Sequence, residues 1–486
     1  MQNTAKDIRP VFVSDGDDAV IELTEQMIVW EGAIGPCRLS KALVIFVIAT
    51  MTVLFGAVQI WVWSIYTAII YAAFIVFLWQ PTRDGPVVGI NGYSAAIGLF
   101  LLLTLLACFP LSGRLMGVLS PVRYQLLVQT EALTGMDAAW PTLSYAPFQS
   151  LGWWSFLLGL GMLFVLLKTC FASPGMLRWT LWILLVLAVV QGVYGILQAL
   201  IPNLGVLWYI KSGLGDARGT WINRNHFAGF MGMMLPLLLG LSMSRVRWGA
   251  RLKFKTLLQS DRIHKDSMFL LALVIIALAL LFSKSRAGIM SMFLGVGFFL
   301  FLIRGKDRKS SKRFWIIGSV LFGLTLLYGL RIGFDPIIDR FLALNKNISR
   351  LDYWNDSLAI IADHPLGIGL AAFKYVFPAY SATSLTETVT PYYLHNDVLQ
   401  LLVEAGWPGF ALPIGAYLVF MINSFRQIRR MEFYTDPQKF FIAAGAFSGV
   451  VSISFHSFFD FNLQIPANAV YFVVLLAMIR VCAGRP

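Results

Sequence analysis

The chain has 486 residues, 58% of them hydrophobic and 13% charged, a formal net charge of +13 and a mean hydropathy of +0.73. Soluble domains carry about 25% charged residues, so an ordinary soluble fold is excluded and the chain reads as an all-α polytopic membrane protein. In a soluble protein such basicity would suggest nucleic acid; here basic loops on one side of a bilayer account for it, and no nucleic-acid partner is expected.

Residues 1–40 are polar and read as a solvated cytoplasmic tail, the carboxylates of Asp15, Asp17 and Asp18 included, with no cleavable signal peptide. From Ala42 to Trp79 the chain is nearly continuously apolar, long enough for two spans of about 20 residues with a tight turn near Gln59 to Ser64. Further apolar runs cover 92–111, 150–170, 179–200, 226–243, 267–283, 287–303, 314–330, 398–424, 440–459 and 467–482. The total is about twelve helices, nine within residues 41–330 and three within 398–486.

With a cytoplasmic N-terminus, one side of the membrane receives Arg38/Lys41, Arg83, Lys168/Arg178, the set from Arg245 to Lys265, Arg304 to Arg313, Arg426 to Lys439 and Arg480/Arg485. The positive-inside rule makes that side cytoplasmic, and the C-terminus with it. The other side should be poor in cations, yet it carries Arg114, Arg123, Lys211, Arg218, Arg224, Lys284, Arg286, Arg331, Arg340, Lys346, Arg350 and Lys374. An anionic ligand on the outer face explains them, because guanidinium groups match phosphate oxygens in bidentate pairs.

Two outer segments are long, 112–149 and 331–397. The first contains Val122 to Leu133, a candidate interfacial helix. In the second, Leu351 to Ala362 predicts a helix that stops before Pro365.

Three stretches are candidates for chemistry. Arg218 to Gly229 marks the outer entrance of a span: Asn223 or Asn225 caps a helix whose positive end faces outward, with Arg218 and Arg224 beside it. Ser283 to Gly288 is a polar break in which Arg286 lies close to hydrocarbon, a placement costing about 2.5–3.5 kcal/mol and so expected to serve a function. The third runs from Tyr392 to Phe410, where Asn396 or Asp397 caps an apolar helix and Glu404 follows two turns along it. His395 at its start could accept a proton from a hydroxyl. On spacing alone, a histidine there is more often a cap or packing residue. Cys37, Cys108, Cys170 and Cys482 are scattered, and neither a metal-ligand spacing nor a phosphate-binding glycine loop is present, so no metal and no cofactor is expected.

These stretches resemble the O-antigen ligase and O-antigen polymerase superfamily of bacterial membrane glycosyltransferases. The ligase pattern of His, Asn, nine residues, Gly, two residues and Gly is met by His395-Asn396, Gly406 and Gly409. Arg218-Gly-Thr with Asn223 and Asn225, Ser285-Arg286-Ala-Gly, and Arg350-x-x-x-Trp354 running to His364-Pro365-Leu-Gly-Ile-Gly extend the likeness over about 218–410. The resemblance implies about twelve helices of the glycosyltransferase C type in the bacterial inner membrane, with the active site outside. It implies a glycan donor on undecaprenyl pyrophosphate, inversion at the anomeric carbon, and no metal. His395 becomes the catalytic base, and Arg218, Arg286, Arg350 and Arg224 hold the pyrophosphate, with Asn223, Asn225, Asn396, Asp397 and Glu404 in support. The acceptor is a glycan, a lipid or a protein: ligase on lipid A core, polymerase, and protein-directed transferase share the motifs, and the complete pattern tilts the reading to ligase. A lipid-linked glycan flippase, the other class open, would place polar groups at the bilayer midplane, where this chain holds little beyond Gln59, Gln191 and Gln198.

Overall fold

The computed structural model describes residues 38–79, 92–135, 141–201, 203–208, 215–245, 261–304, 348–381, 391–433 and 435–484, without the side chains of 261–266 and 348–349. The tail, the span expected at 314–330, Cys37, Arg83, Lys211, Arg331, Arg340 and Lys346 lie outside these residues. All described residues belong to one unit, Gly35–Pro486, and every regular element among them is helical.

The first apolar run divides into α1 (Arg38–Thr50) and α2 (Ile60–Leu78). At ~1.5 Å per residue α1 is only ~20 Å long, short of the ~30 Å hydrocarbon core. The break falls at residues 51–59, earlier than the turn expected near Gln59 to Ser64. Phe55, Gly56 and Ala57 there all have positive φ, and the Trp221 ring packs so close that a Cβ on Gly56 would stand 2.6 Å from it.

There follow α3 (Gly92–Leu106), α4 (Gly113–Leu119), α5 (Pro121–Thr134), α6 (Pro147–Cys170), α7 (Pro174–Leu200), α8 (Arg224–Ser244), α9 (Asp261–Phe282) and α10 (Arg286–Ile303). The remaining helices are α11 (Ile348–Asp363), α12 (Asp397–Arg430), α13 (Pro437–His456) and α14 (Pro466–Ala483). Against the expected total of about twelve spans, eight described helices are long and apolar enough to cross a membrane: α2, α6, α7, α8, α10, α12, α13 and α14. Helix α3 and residues 267–282 of α9 are apolar but shorter. Helix α5 fits the stretch expected to lie along the interface, with no residue buried and a left-handed Gly135 ending it.

Helix α8 is hydrophobic on all sides and buried along its length, as a helix at the centre of a bundle must be. It packs most extensively on α13. Small residues allow that approach: a Cβ on Gly445 would stand 2.7 Å from the Pro236 carbonyl oxygen, and one on Gly449 2.6 Å from that of Met233. Backbone contact of this kind supplies helix association where lipid removes the hydrophobic drive. The arrangement brings the starts of α8, α10 and α12 and the end of α13 to one face of the bundle, here called the site face.

A second, smaller core lies beside the start of α12, built from Ile360, Ile361, Ile368, Phe373, Phe377, Leu394 and Val403. Helix α12 is broken at Gly406, whose φ is +67°. The carbonyls freed there are taken by the loop after α11: Ile368 N–H donates to Val403 O (3.2 Å) and Gly369 N–H to Glu404 O (2.9 Å). Trp407 N–H in turn donates to Pro365 O (2.9 Å), so the break leaves few polar groups unsatisfied. His364 is buried in this region, its Nε2 within 3.2 Å of the Tyr145 hydroxyl and 3.1 Å of that of Tyr380. Burial lowers its pKa, Asp363 opposes the shift, and Arg123 adds to it.

Candidate active site

The site is assembled from four pieces. The first is the loop before α8. Two glutamines inside α7 shape it: Gln198 Oε1 accepts from Arg218 N–H (3.0 Å) and its amide donates to Gly219 O (2.8 Å), while Gln191 Oε1 accepts from Thr220 N–H (3.0 Å). On this loop Asp216, almost fully buried, joins Arg218 Nε (2.7 Å) and Arg224 Nη1 (2.9 Å). Asn223 caps α8 by accepting from Asn225 N–H (2.9 Å).

The second piece is the Ser283–Arg286 break. Lys284 adopts φ +53°, Ser285 caps α10 by accepting from Gly288 N–H (3.2 Å), and Ala217 N–H donates to Phe282 O (3.0 Å), tying the break to the first loop. Arg286 lies in the electrostatic field of both Arg224 and Arg350. The third piece is the start of α11, where Arg350 Nη1 donates to Phe459 O (2.9 Å).

The fourth piece joins α12 to the link between α13 and α14. Asn396 caps α12 by accepting from Leu399 N–H (3.0 Å), and His395 precedes it at φ +54°. A left-handed conformation costs a side-chain-bearing residue roughly 1–2 kcal/mol, and it persists here because the imidazole is held on two sides. Its Nδ1 lies 3.0 Å from Asp460 Oδ1, and its edge packs on the Phe461 ring at 4.7 Å between centroids. About a quarter of the imidazole is exposed.

Asp460 is the centre of the cluster and is wholly buried. Beyond His395 it accepts from Asn225 Nδ2 and from Phe461 N–H (2.9 Å), with Arg350 Nη2 at 4.0 Å and His226 Nε2 at 3.8 Å. Burial alone would raise its pKa; the facing His226 and His395 rings reverse this and hold the carboxyl well below the usual range. Against the Asp460 carboxylate His395 Nδ1 is the donor, and Nε2 is the ring nitrogen left outside the pair.

Of the residues singled out in the sequence, His395, Arg350 and Asn225 gather around Asp460, while Arg218 and Arg224 are joined through Asp216 and Arg286 lies in the field of Arg224 and Arg350. Asp397 and Glu404 are engaged elsewhere. Asp397 Oδ2 accepts from Leu463 N–H (2.9 Å) and its own N–H donates to Ser457 O (2.8 Å). Glu404 accepts from Ala371 N–H (2.8 Å) and Gln400 (2.9 Å). The sequence reading missed Asp460 and Asp216. An available signal was an acidic residue set among Phe458, Phe459 and Phe461 between two spans, where a carboxylate without a partner is not tolerated.

Fold and site together define a polytopic membrane protein with a histidine–aspartate pair and four arginines at one face of its bundle. A family model described as O-antigen ligase matches residues 271–414, a stretch that contains Arg286, Arg350 and His395. Over this segment, which is under half of the chain, the protein is similar to the O-antigen ligase family. A comparison with curated proteins finds no match.

Proposed function

We propose that the chain transfers a glycan from undecaprenyl pyrophosphate to an acceptor hydroxyl at the outer face of the inner membrane, acting as an O-antigen ligase on lipid A core. The observation that carries this reading is the contact of His395 Nδ1 with the buried, ionised Asp460 beside a set of arginines. In the proposed reaction the acceptor oxygen attacks the anomeric carbon from the face opposite the leaving group. The new C–O bond forms as the bond to the phosphate oxygen breaks, its electron pair stays with the pyrophosphate, and the configuration inverts. His395 Nε2 takes the hydroxyl proton, and Asp460 stabilises the resulting imidazolium. Arg218, Arg224, Arg286 and Arg350 meet the charge that grows on the pyrophosphate, each charge-assisted hydrogen bond contributing about 1.5–3 kcal/mol.

The test uses a strain lacking this chain. A ligase leaves long glycan on the lipid carrier and none on lipid A core; surface glycan limited to one repeat would make the chain a polymerase, and loss of glycosylated protein a protein-directed transferase. If His395→Ala restores transfer as well as the unaltered chain, the mechanism is wrong.

A further inference from the structure

A cleft at the opposite face of the bundle from His395 is unaccounted for by glycan transfer. Helix α8 runs from Arg224 to Ser244, ~31 Å at ~1.5 Å per residue, so Arg245 just beyond its end is a membrane thickness away from Arg224. There α7, α8, α9 and α13 enclose a cleft of about 180 Å³ lined by Arg178, Leu181, Trp182, Leu241, Ser244, Arg245, Phe269 and Gln438. Arg178 and Trp182 also border, with Trp179, an adjoining hollow of about 490 Å³. The Arg245 guanidinium lies over the Phe269 ring at 4.9 Å.

We propose that this cleft binds one anionic phospholipid of the leaflet on that face. The lining is divided as such a molecule is. Two guanidiniums and the Gln438 amide form a polar end suited to a phosphodiester. Leu181, Leu241 and Trp182 form an apolar side along which acyl chains can lie. Trp179 and Trp182 remain 63% and 41% exposed, the placement of indoles that sit at headgroup depth. Among the described residues no carboxylate lines the cleft, and its two guanidiniums favour a lipid of net negative charge.

The test is native mass spectrometry of the whole protein from micelles containing equal phosphatidylglycerol and phosphatidylcholine, with thermal unfolding as a check of folding. The unaltered protein retains phosphatidylglycerol in preference. The double variant Arg178→Gln/Arg245→Gln loses that preference by about tenfold or more, whereas Arg429→Gln, at the far end of α12 on the same face, keeps it. Equal retention of both lipids, or an equal loss in Arg429→Gln, overturns the proposal. So does complete displacement of phosphatidylglycerol by inorganic phosphate, which marks a small-anion site. Should the double variant not fold, the competition on the unaltered protein decides alone.

Discussion

Asp460 and His395 stand 65 residues apart in the chain and 3.0 Å apart in space, and the carboxylate of the pair is wholly buried. Replacing Asp460 by Asn removes the charge that fixes the imidazole tautomer while preserving volume. Transfer is expected to fall by about 10²–10⁴-fold in kcat with little change in acceptor KM, the range of a lost general base. The double variant Asp460→Asn/His395→Ala should be no slower than His395→Ala, because the two act as a unit. Steady-state transfer in membranes containing donor and acceptor measures both.

Arg286 is expected to act on the donor. Arg286→Gln should lower transfer roughly 10- to 100-fold, the equivalent of one charge-assisted hydrogen bond. Arg286→Lys should recover part of the loss, since it restores the charge without the planar fork. Titration with lipid-linked glycan, comparing kcat/KM across the three proteins, reads the difference.

Gly406 belongs to the motif but does no chemistry. Its φ is +67°, and a Cβ there would come within 2.5 Å of Gly367 N. Gly406→Ala is expected to destabilise the protein by about 2–4 kcal/mol from strain and backbone displacement together. Thermal unfolding should show the loss, and limited proteolysis should show residues 364–381 opening first.

His364 makes the packing of that region sensitive to pH. Its folded pKa lies below its unfolded value because burial disfavours the charged ring, and the unfolded value is about 6.5. The opened state therefore binds more protons in this range. The stabilisation is complete above about 6.5 and is lost as the pH falls from there through the folded pKa. Hydrogen exchange over 348–381 should quicken between pH 7.5 and pH 5, and His364→Gln should remove that dependence.

Helix positions were legible because apolar runs of span length have few alternative readings, and Asn223, Asn396 and Ser285 cap helices where polar residues precede apolar ones. The cations of the site could be read from their breach of the charge rule. Its anions could not. Asp216 and Asp460 become meaningful only when folding places them against Arg218, Arg224 and His395, and nothing in their local sequence states a partner. Glu404 misled for the same reason: helical spacing puts it along the axis from His395, but its carboxylate is held by Ala371 N–H and the Gln400 amide. Gln191 and Gln198 read as stray polar residues in a span until the loop they hold is seen.

The position of Asp460 bears on biosynthesis. His395 enters the membrane at the head of α12, but its carboxylate follows α13 and is held by the link to α14. A nascent chain inserted only as far as α12 carries the histidine and all four arginines without the charge that orients the base. On the proposed mechanism, competence to transfer glycan waits for the link after α13, and truncation after residue 436 should leave a protein without transfer activity.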